Sequence, residues 1–374
     1  MAVVVGIPVC EEAGERRSPI VPDVVTKLRG IGVDVVVQQG ATDGAYLGPD
    51  TLGDVSWVAT TEEVLSAADV LWVVSPPSPE VLAAIPQGTV LMGLLRPYES
   101  ADRIKLLQQH QLTAFAMELI PRISRAQSMD VLSSQAAVAG YQAALLAAAR
   151  SPKFFPMITY AAGTIRPARV LVIGAGVAGL QAIATAKRLG AIVEAYDVRS
   201  ETKEQIESLG AKFVDTGVSA AGSGGYAREL TDEEKAAQAG KLAKAVANSD
   251  VLITTAGVPG KKAPLIVTEE MVMGMKAGSV IIDQMAEGGG NVFGTQAGQD
   301  VRVGGALIYG PVNLPSRMPV HASEMYSKNL LNFLTPMISE GLLRLDWEDE
   351  VVAAAALTHA GEVKNALVRQ VLGL

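Results

Sequence analysis

Short apolar runs alternate with segments of helical periodicity along the first third of the chain. From residue 3 to about residue 120, five runs predict β-strands: VVVGIP, VDVVVQ, VLWVVS, TVLMGLL and TAFAME. The segments among them whose apolar positions recur at helical spacing are VPDVVTKLRGIG, TTEEVLSAAD and SADRIKLLQQHQ. Strands that alternate with helices in this way favour a parallel sheet with right-handed crossovers.

A second series of the same kind begins near residue 169. Its predicted strands are ARVLVIG, AIVEAYD, AKFVD, DVLITTA, SVIIDQ and ALIYG. The pattern therefore predicts an α/β protein with two Rossmann-like, doubly wound parallel-sheet domains. Two long helices are expected to join these domains and to cross a cleft between them: the Ala-rich segment 134–150 and SEMYSKNLLNFLTPMISEGL.

The domain boundaries follow from where the second long helix goes. If it runs back beside the first, the C-terminal tail returns to the first domain. The expected first domain is then discontinuous, 1–133 with 322–374, and the second domain is 134–321. A chain of 374 residues is longer than one ordinary core, which agrees with two domains.

Composition excludes several classes of protein. Hydrophobic residues make up 49% and charged residues 19%, as in a folded globular chain. A net charge of −8 and the lack of a basic stripe argue against a nucleic-acid surface. The single cysteine, Cys10, excludes an internal disulfide and a cysteine-built metal site. No metal site is expected.

The mean hydropathy of +0.28 raises the question of a membrane segment. No uninterrupted apolar run reaches the roughly 20 residues that a bilayer requires, so no direct membrane span is expected. The first residues, MAVVVGIPVCEEAGERR, lack the basic start and cleavage site of a signal peptide. These features favour a cytoplasmic location.

The strongest local motif is G-x-G-x-x-G at Gly174, Gly176 and Gly179, between a predicted strand and a helix. Such glycines permit a tight turn, approach to a pyrophosphate and close packing of helix on strand. Asp197 ends the next strand, 23 residues after Gly174. A carboxylate at this position accepts hydrogen bonds from the ribose hydroxyls and so selects NAD(H) over NADP(H). Arg199 is able to accommodate a 2′-phosphate, and a Gly-rich packing turn is the alternative to nucleotide binding.

Further loops follow the carboxyl ends of later strands, where open parallel sheets bind ligands: TTAGVPGKKAP, DQMAEGGGN and GPVNLPSRMP. The Gly/Ser/Ala-rich loop 215–230 ends at a predicted capping box of Thr231 and Glu234. Because Tyr226 sits between small residues in this long loop, a lid is favoured over a plain surface excursion.

Acid–base groups are scarce. The chain has three histidines, of which only His321 is near the expected cleft, and no S-x-x-x-K or Y-x-x-x-K pair stands at a plausible nucleotide site. Oxidation of an alcohol, amine or hydroxy acid moves a proton as well as a hydride, so it needs such a group. Transfer between two nicotinamides needs none. The scarcity therefore agrees with hydride transfer between two nucleotides.

One block, PRISRAQSMDVLSSQA at residues 121–136, crowds hydrogen-bonding side chains before the Ala-rich helix. With ERRSPIVP, VIGAGVAG, TTAGVPGKKAP, GGGN and NLPSRMP, it gives a series of motifs in an order that resembles a known family. Over residues 1 to about 340, the chain resembles the soluble NAD(H)-binding domain I of the proton-translocating NAD(P) transhydrogenase alpha subunit, in the alanine dehydrogenase/transhydrogenase family.

The resemblance implies catalytic or positioning roles at the nicotinamide or its ribose for Arg122, Gln127, Asp130 and Ser133. It implies that Tyr226 matches the mobile-loop tyrosine of the family, which closes over bound nucleotide and is also counted among the catalytic residues. Gln127 is also implied to reach the partner domain that carries NADP(H). Helix capping and a polar network are the alternative for Arg125, Ser134 and part of Asp130. Contacts with NAD(H) are implied for the glycine motif and for Val177, Asp197, Val198, Arg199, Gly225, Gln238 and Gly257.

The resemblance further implies hydride transfer from NADH to NADP⁺ on a separate subunit, and partners that include a membrane subunit and an NADP(H)-binding subunit. It implies a homodimer that is peripheral on the cytoplasmic face. Alanine dehydrogenase, the nearest relative of that family, has Lys and His where this chain has Val73 and Arg96. Both differences argue against an alanine-type amino-acid dehydrogenase, although Val73 also departs from many transhydrogenases. Besides the transhydrogenase component and the amino-acid dehydrogenase, the third hypothesis is a module that senses a nucleotide and catalyses no reaction.

Overall fold

The computed structural model describes residues 2–220, 228, 230–258 and 260–373. The chain divides into two compact units. Unit 1 consists of Met1–Gln135 and Pro315–Leu374, and unit 2 of Ala136–Leu314. Each unit contains its own large sheet.

The strands, numbered along the chain, are β1 (Val3–Ile7), β2 (Val33–Gln38), β3 (Ser56–Val58), β4 (Val70–Val73), β5 (Val90–Gly93), β6 (Thr113–Ala116), β7 (Ile158–Tyr160), β8 (Gly163–Ile165), β9 (Arg169–Ile173), β10 (Ile192–Tyr196), β11 (Lys212–Phe213), β12 (Val251–Thr254), β13 (Val280–Asp283), β14 (Asp300–Val303), β15 (Ala306–Tyr309), β16 (Ile338–Ser339), β17 (Leu342–Leu343), β18 (Ala356–His359) and β19 (Glu362–Val363).

The α-helices are α1 (Pro22–Gly30), α2 (Pro49–Leu52), α3 (Thr61–Ala67), α4 (Pro79–Ala84), α5 (Ala101–Gln109), α6 (Val131–Arg150), α7 (Val177–Arg188), α8 (Thr202–Ser208), α9 (Asp232–Asn248), α10 (Glu269–Met273), α11 (Pro319–Leu334), α12 (Glu350–Ala355) and α13 (Ala366–Leu372).

The sheet of unit 1 has the order β19-β18-β6-β5-β4-β1-β2-β3. Strands β1 to β6 pair in parallel, and the C-terminal strands β18 and β19 extend the sheet with antiparallel pairs. The sheet of unit 2 has the order β11-β10-β9-β12-β13-β15-β14, in which only the β14–β15 pair is antiparallel. The predicted fold class, α/β with two parallel-dominated sheets, is confirmed.

Apolar residues at every position of a strand reflect burial of both faces of the sheet. On β4, Val70 and Trp72 belong to one buried cluster, whereas Leu71 and Val73 belong to another. The strands of unit 2 show the same division, for example on β9. Successive side chains of a strand point to opposite faces, so each sheet carries apolar layers on both sides.

Several strands were not predicted from the sequence: β3, β14, β18, β19 and the β7–β8 and β16–β17 hairpins. Their sequences, such as DVRV in β14, carry no long apolar run. Their extended form depends on hydrogen bonds to a neighbouring strand, and composition does not reveal that pairing.

The second long helix differs from its predicted span. Helix α11 begins at Pro319, in the first helical turn where proline is favoured. It ends at Leu334 because Pro336 follows within a 3₁₀ turn, and a proline cannot continue the helical hydrogen bonding. The residues after that turn form the β16–β17 hairpin instead of more helix.

Helix α6, which begins in unit 1 and ends in unit 2, has the length and mean hydropathy of a bilayer-crossing helix. Its glutamines and serines interrupt the apolar run, so the sequence shows no uninterrupted apolar stretch of that length there. Length and composition are the only grounds for a span, and the core helix of a soluble protein meets the same criteria.

Candidate functional site

The carboxyl ends of parallel strands meet at one edge of each sheet. We call the residues that follow β9, β10, β12 and β13 the unit 2 edge: 174–179, 197–199, 255–258 and 284–291. We call the corresponding residues of unit 1, after β1, β4, β5 and β6, the unit 1 edge: 8–17, 74–77, 94–96 and 117–118. Ligand sites of open α/β sheets form at such edges.

The glycine turn of the unit 2 edge is built for close approach. Gly174 follows β9 with φ +95°, a left-handed conformation that favours glycine. A Cβ on Gly179 would lie 1.8 Å from the Gly174 carbonyl oxygen, so α7 packs tightly on the turn. Gly176 and Val177 at the start of α7 are exposed, and a Cβ on Gly176 would meet no atom within 4 Å. The first N–H groups of an α-helix have no intrahelical partners, so an exposed helix N-terminus such as that of α7 attracts anions, phosphate among them.

Asp197 directly follows β10 and is 6% exposed at its side chain. Its Oδ2 accepts from the Ala175 N–H at 2.7 Å and from Arg199 Nη2 at 2.8 Å. Its Oδ1 accepts from the Arg199 N–H at 2.8 Å and from Arg199 Nε at 2.9 Å. Arg199 therefore forms an ion pair with Asp197, and any ligand hydroxyl that binds this carboxylate would have to share or replace the hydrogen bonds of the arginine.

Gln238 and Val198 support the strand end that carries Asp197. Gln238 on α9 is buried, and its Oε1 accepts a hydrogen bond from the Tyr196 hydroxyl. Burial raises the pKa of Tyr196 to about 12, and the charge of Asp197 adds to that shift, so the phenol stays a donor at neutral pH. The half-buried Val198 accepts from the Ala220 N–H at 2.9 Å through its carbonyl.

The loop after β12 contacts the glycine turn. The Thr255 hydroxyl lies 3.2 Å from the Gly174 carbonyl oxygen and 3.3 Å from that of Ile173. Two residues further, a Cβ on Gly257 would lie 2.2 Å from Met285 Cε, so glycine lets the β12 and β13 loops approach each other. The structure thus brings Gly257 and the glycine motif to the same edge.

Two buried polar residues at this edge were missed from the sequence. Asp283, the last residue of β13, and Asn291, after three glycines, are both 0% exposed. The sequence did contain a signal for each residue: Asp283 ends the apolar run Val-Ile-Ile, and Asn291 closes the turn GGGN. A polar residue immediately after a buried strand has to find partners inside the fold.

In unit 1, residues 121–130 form the polar loop, which includes a 3₁₀ helix at Ser124–Met129. Arg122 and Gln127 are exposed there. Asp130 precedes α6 and accepts from the Ser133 N–H at 2.9 Å and from its hydroxyl at 2.6 Å. Asp130 and Ser133 thus form a helix cap, which is the structural alternative anticipated for Asp130.

Other side chains of unit 1 fix the polar loop in place. Arg125 binds Asp349 through two hydrogen bonds, at 2.7 and 3.0 Å, and hydrogen bonding to Arg125 lowers the pKa of Asp349 to about 2. Asn329 and Asn332 of α11 donate to the Ser128 carbonyl at 2.8 and 3.0 Å. These asparagines were missed because nothing in the sequence shows that α11 packs on the loop.

Two arginines at the unit 1 edge, Arg17 and Arg96, are paired with carboxylates of their own unit. Arg17 binds Glu15 through Nη2 at 2.6 Å and Nε at 2.8 Å, with the two side chains 7% and 0% exposed. Burial by itself would raise the pKa of Glu15, but the hydrogen bonds and charge of Arg17 outweigh it and lower the pKa to about 2. Arg17 Nη1 also donates to the buried Gln135 at 3.0 Å.

Arg96 lies at the same edge with φ +48°. Its Nη2 is 2.5 Å from Glu12, and its N–H donates to Glu118 at 2.7 Å. Burial raises the pKa of Glu118 to about 7, against the lowering effect of the Arg96 and Leu95 N–H groups. Val73 is buried, and its carbonyl accepts from the Tyr326 hydroxyl at 2.6 Å.

Two of the anticipated site residues, Gly225 and Tyr226, lie outside the described residues, so their implied contacts stay predictions. The capping box after their loop is confirmed, since Thr231 accepts from the Glu234 N–H and Glu234 accepts from the Thr231 N–H. Across residues 2–220, 228, 230–258 and 260–373, no group of three or more His, Cys, Asp or Glu side chains could hold a metal ion.

Family models cover nearly the whole chain. The model described as "Alanine dehydrogenase/PNT, N-terminal domain" matches residues 6–139. The one described as "Alanine dehydrogenase/PNT, C-terminal domain" matches residues 143–366.

Within this family, two transhydrogenase subunits share more sequence identity with this chain than an alanine dehydrogenase does. A protein of Rhodospirillum rubrum, named as the first portion of NAD(P) transhydrogenase subunit alpha, is 46% identical over 96% of this chain and 97% of its own length. The protein with the same name from Rickettsia prowazekii is 43% identical over 95% and 94%. The alanine dehydrogenase of Bacillus subtilis is more distant, at 27% identity over 99% and 95%.

A solved structure, the transhydrogenase from Sinorhizobium meliloti, matches with a TM-score of 0.88 and 44% identity over 96% of this chain and 99% of the other. An L-alanine dehydrogenase structure matches with a TM-score of 0.85, but at 22% identity it supports the fold alone. The resemblance inferred from the motifs is confirmed. The chain belongs to the alanine dehydrogenase/PNT family, and its close relatives there are NAD(P) transhydrogenase alpha subunits.

Proposed function

We propose that this chain is the NAD(H)-binding component of a proton-translocating NAD(P) transhydrogenase, and that it passes hydride from NADH to NADP⁺ held on a partner subunit. The observation that carries the proposal is the exposed turn at Gly176, which opens α7 beside the carboxylate of Asp197. The names of its relatives, at 43% and 46% identity, support the same reaction.

The residues of the unit 2 edge fit the adenosine and pyrophosphate of NAD(H). The N–H groups at Gly176 and Val177 suit the pyrophosphate, because a helix N-terminus attracts anions. Asp197 and Arg199 suit the adenosine ribose, and the acid disfavours a 2′-phosphate. Val198 and Gln238 hold the strand end that carries Asp197. Glycine at position 257 lets the loops after β12 and β13 approach each other closely.

For the nicotinamide end we propose the polar loop of unit 1. When bound, NADH supplies the hydride. The chain's own residues then only orient and hold, so catalysis is positioning. Arg122 and Gln127 are exposed and able to contact a ligand or a partner. Asp130 and Ser133, which bind each other, suit the ribose hydroxyls if they share those bonds.

The same data disfavour an amino-acid dehydrogenase. Such an enzyme needs a cation for the substrate carboxylate and a group that accepts a proton. At the unit 1 edge, Arg17 is paired with Glu15 and Arg96 with Glu12. Val73 cannot take either role. A substrate carboxylate would have to displace an internal carboxylate before it could bind either of these two arginines.

We also propose a homodimer, formed in part by the β7–β8 hairpin of unit 2. Apolar side chains near and in this hairpin are exposed, including Phe154 (57%), Met157 (62%) and Tyr160 (56%). An isolated two-stranded hairpin is marginally stable in water, so a covering partner would stabilise it. Through a membrane subunit and an NADP(H)-binding subunit, the complex would lie on the cytoplasmic face of the membrane.

The decisive experiment measures hydride transfer from NADH to a spectrally distinct NADP⁺ analogue, with and without a transhydrogenase NADP(H)-binding subunit. Rapid transfer that needs both proteins is expected.

Gln127→Ala should lower the transfer rate at saturating NADH more than the affinity for NADH. Asp197→Asn should instead weaken NADH binding. No transfer despite NADH binding, with a partner that works with its own alpha subunit, would favour the sensor hypothesis. Alanine-dependent NAD⁺ reduction by the chain alone would establish the dehydrogenase.

The dimer is tested by light scattering after size-exclusion chromatography. Tyr160→Asp, in the hairpin, should shift the mass toward the monomer at micromolar concentrations. Leu367→Asp provides the control, because Leu367 of α13 is also exposed (52%) but lies in unit 1. A dimer that tolerates Tyr160→Asp would remove the hairpin from the interface.

A further inference from the structure

We propose that Asp283 and Asn291 are positioning residues that set the affinity of the unit 2 edge for its dinucleotide. They do so by holding the loops after β12 and β13 together as one piece. The inference rests on the proposed function, because its ligand is the NAD(H) assigned to this edge. Neither residue is proposed to touch the ligand.

The Asp283 carboxylate ties the β13 loop onto the end of β12. Its Oδ1 accepts from the Thr254 hydroxyl at 2.9 Å and the Met285 N–H at 3.0 Å. Its Oδ2 accepts from three further donors at 2.8–3.1 Å: Asn291 N–H, Val292 N–H and the Thr295 hydroxyl. A fully buried carboxylate with five donors fixes the backbone on both sides of the three-glycine turn.

The Asn291 side chain ties the β12 loop to the same turn. Its Nδ2 donates to the Ala256 carbonyl at 2.8 Å and to the Pro264 carbonyl at 2.9 Å. Its Oδ1 accepts from the Ala256 N–H at 3.1 Å. The amide therefore satisfies both backbone groups of Ala256 and closes the loop at its two ends, using both of its donors.

These bonds lead directly to the glycine turn. Thr255, which precedes Ala256, donates its hydroxyl to the Gly174 carbonyl and its N–H to the Ile173 carbonyl. On the other side of Ala256, Gly257 lies against Met285 of the β13 loop. A shift at Ala256 would therefore move Thr255 against the turn and Gly257 into the space at the edge.

A buried polar network places backbone groups at fixed positions, since each hydrogen bond has a preferred distance and angle. Apolar packing alone would let these loops slide. Because affinity depends on how well the site is organised before the ligand arrives, loosening the loops should weaken binding. Hydride transfer from bound NADH should change little, because the polar loop and the partner supply its geometry.

The test compares variants of this chain by three measurements: fluorescence titration with NADH, hydride transfer at saturating NADH with the NADP(H)-binding subunit, and thermal unfolding. Asn291→Asp keeps the acceptor but turns the two donations to Ala256 and Pro264 into repulsions. Asn248→Ala is the control, because it removes an exposed amide at the end of α9 in the same unit. For Asn291→Asp, the Kd for NADH should rise roughly tenfold or more, with transfer at saturation within about threefold of wild type.

A second pair of variants keeps the inference falsifiable if Asn291→Asp folds poorly. Thr255→Val removes the hydroxyl that reaches Gly174, whereas Thr255→Ser keeps it. Thr255→Val should weaken NADH binding and Thr255→Ser should restore it, a difference that a purely structural role would show only in the melting temperature. If Asn291→Asp and Thr255→Val both fold and bind NADH with unchanged affinity, this inference is wrong, but the proposed function still stands. A wild-type chain that binds no NADH would overturn the proposed function as well.

Discussion

The two units have related sheets, but their carboxyl edges differ in how their polar groups are used. In unit 2, β9 runs into glycines, and the first turn of α7 at Gly176 and Val177 is exposed. In unit 1, β1 runs into Pro8 and Val9, and Arg17 and Arg96 are held by internal carboxylates. Ion pairs are present at both edges, since Arg199 binds Asp197 in unit 2, but the unit 2 edge adds an exposed glycine turn that opens a helix.

This difference shows why a shared fold does not fix a shared function. A parallel sheet always offers a crevice at its carboxyl edge, but a ligand needs groups there that are unsatisfied or can exchange partners. The Arg17–Glu15 pair is almost fully buried, so breaking it to admit a substrate would be costly. Variants at the buried pair of unit 1 should therefore change the free energy of unfolding, whereas variants at the glycine turn of unit 2 should change the affinity for NADH.

The largest expected effect is on the buried pair of unit 1. Arg17→Ala leaves Glu15 charged and buried, so the free energy of unfolding near pH 7 should fall by roughly 3–5 kcal/mol. Because Arg17 holds the pKa of Glu15 near 2, this contribution is present above pH 4.5 and disappears as the pH falls toward 2. Urea denaturation as a function of pH measures it.

The neighbouring arginine provides the matched control. Arg16 binds the exposed hydroxyl of Tyr46 and lies over its ring at 5.3 Å. Arg16→Ala should cost under about 1 kcal/mol. Equal losses in the two variants would contradict the claim that burial makes the Arg17 pair different.

The next effect concerns Glu118, whose pKa burial raises from 4.5 to about 7. An acid that is harder to ionise in the folded state destabilises that state as the pH rises through the interval between the two pKa values. Relative to Glu118→Gln, wild type should lose up to roughly 3 kcal/mol of unfolding free energy between pH 4.5 and 7. Parallel pH slopes for the two proteins would show that Glu118 has an ordinary pKa.

A smaller effect is expected at the open turn of unit 2. Gly176→Ala meets no atom within 4 Å, so the fold should tolerate it. The methyl group would stand where backbone approaches the pyrophosphate, and NADH affinity should fall roughly 10- to 100-fold. Gly240→Ala in α9 is the control, since it also meets no atom within 4 Å and should leave affinity unchanged. Fluorescence titration of NADH distinguishes the two.

The smallest effect is expected for an exposed pair. Arg125 binds Asp349 and Glu350, with side chains 47%, 26% and 67% exposed. Arg125→Ala should cost about 1 kcal/mol or less, and the cost should shrink further in high salt. A loss as large as that of Arg17→Ala would mean that the polar loop depends on this pair for its fold.

The sequence predicted the central strands well because their apolar runs are long and bounded by helical segments. It failed where a strand owes its form to a neighbour, as in β14 and β18. It also extended the second long helix past Pro336, although a proline is itself a signal that a helix has ended.

The same limit applies to the candidate site. The spacing of Gly174, Gly176 and Gly179 indicated a nucleotide turn because local backbone geometry requires glycine there. The partners of Asp197 and Asp283 could not be predicted, because the donors come from other strands and loops. The Asn329 contact with Ser128 spans 201 residues of sequence and has no local signature.

What the sequence determined by itself is therefore local: the alternation of strands and helices, the glycine turn, the capping box at Thr231, and the family to which those motifs belong. Tertiary structure decided which polar groups are paired, and so which edge is open. The physical reason is that strand and turn preferences act over a few residues. Pairing of a buried charge instead depends on which distant side chain the fold brings within hydrogen-bonding distance.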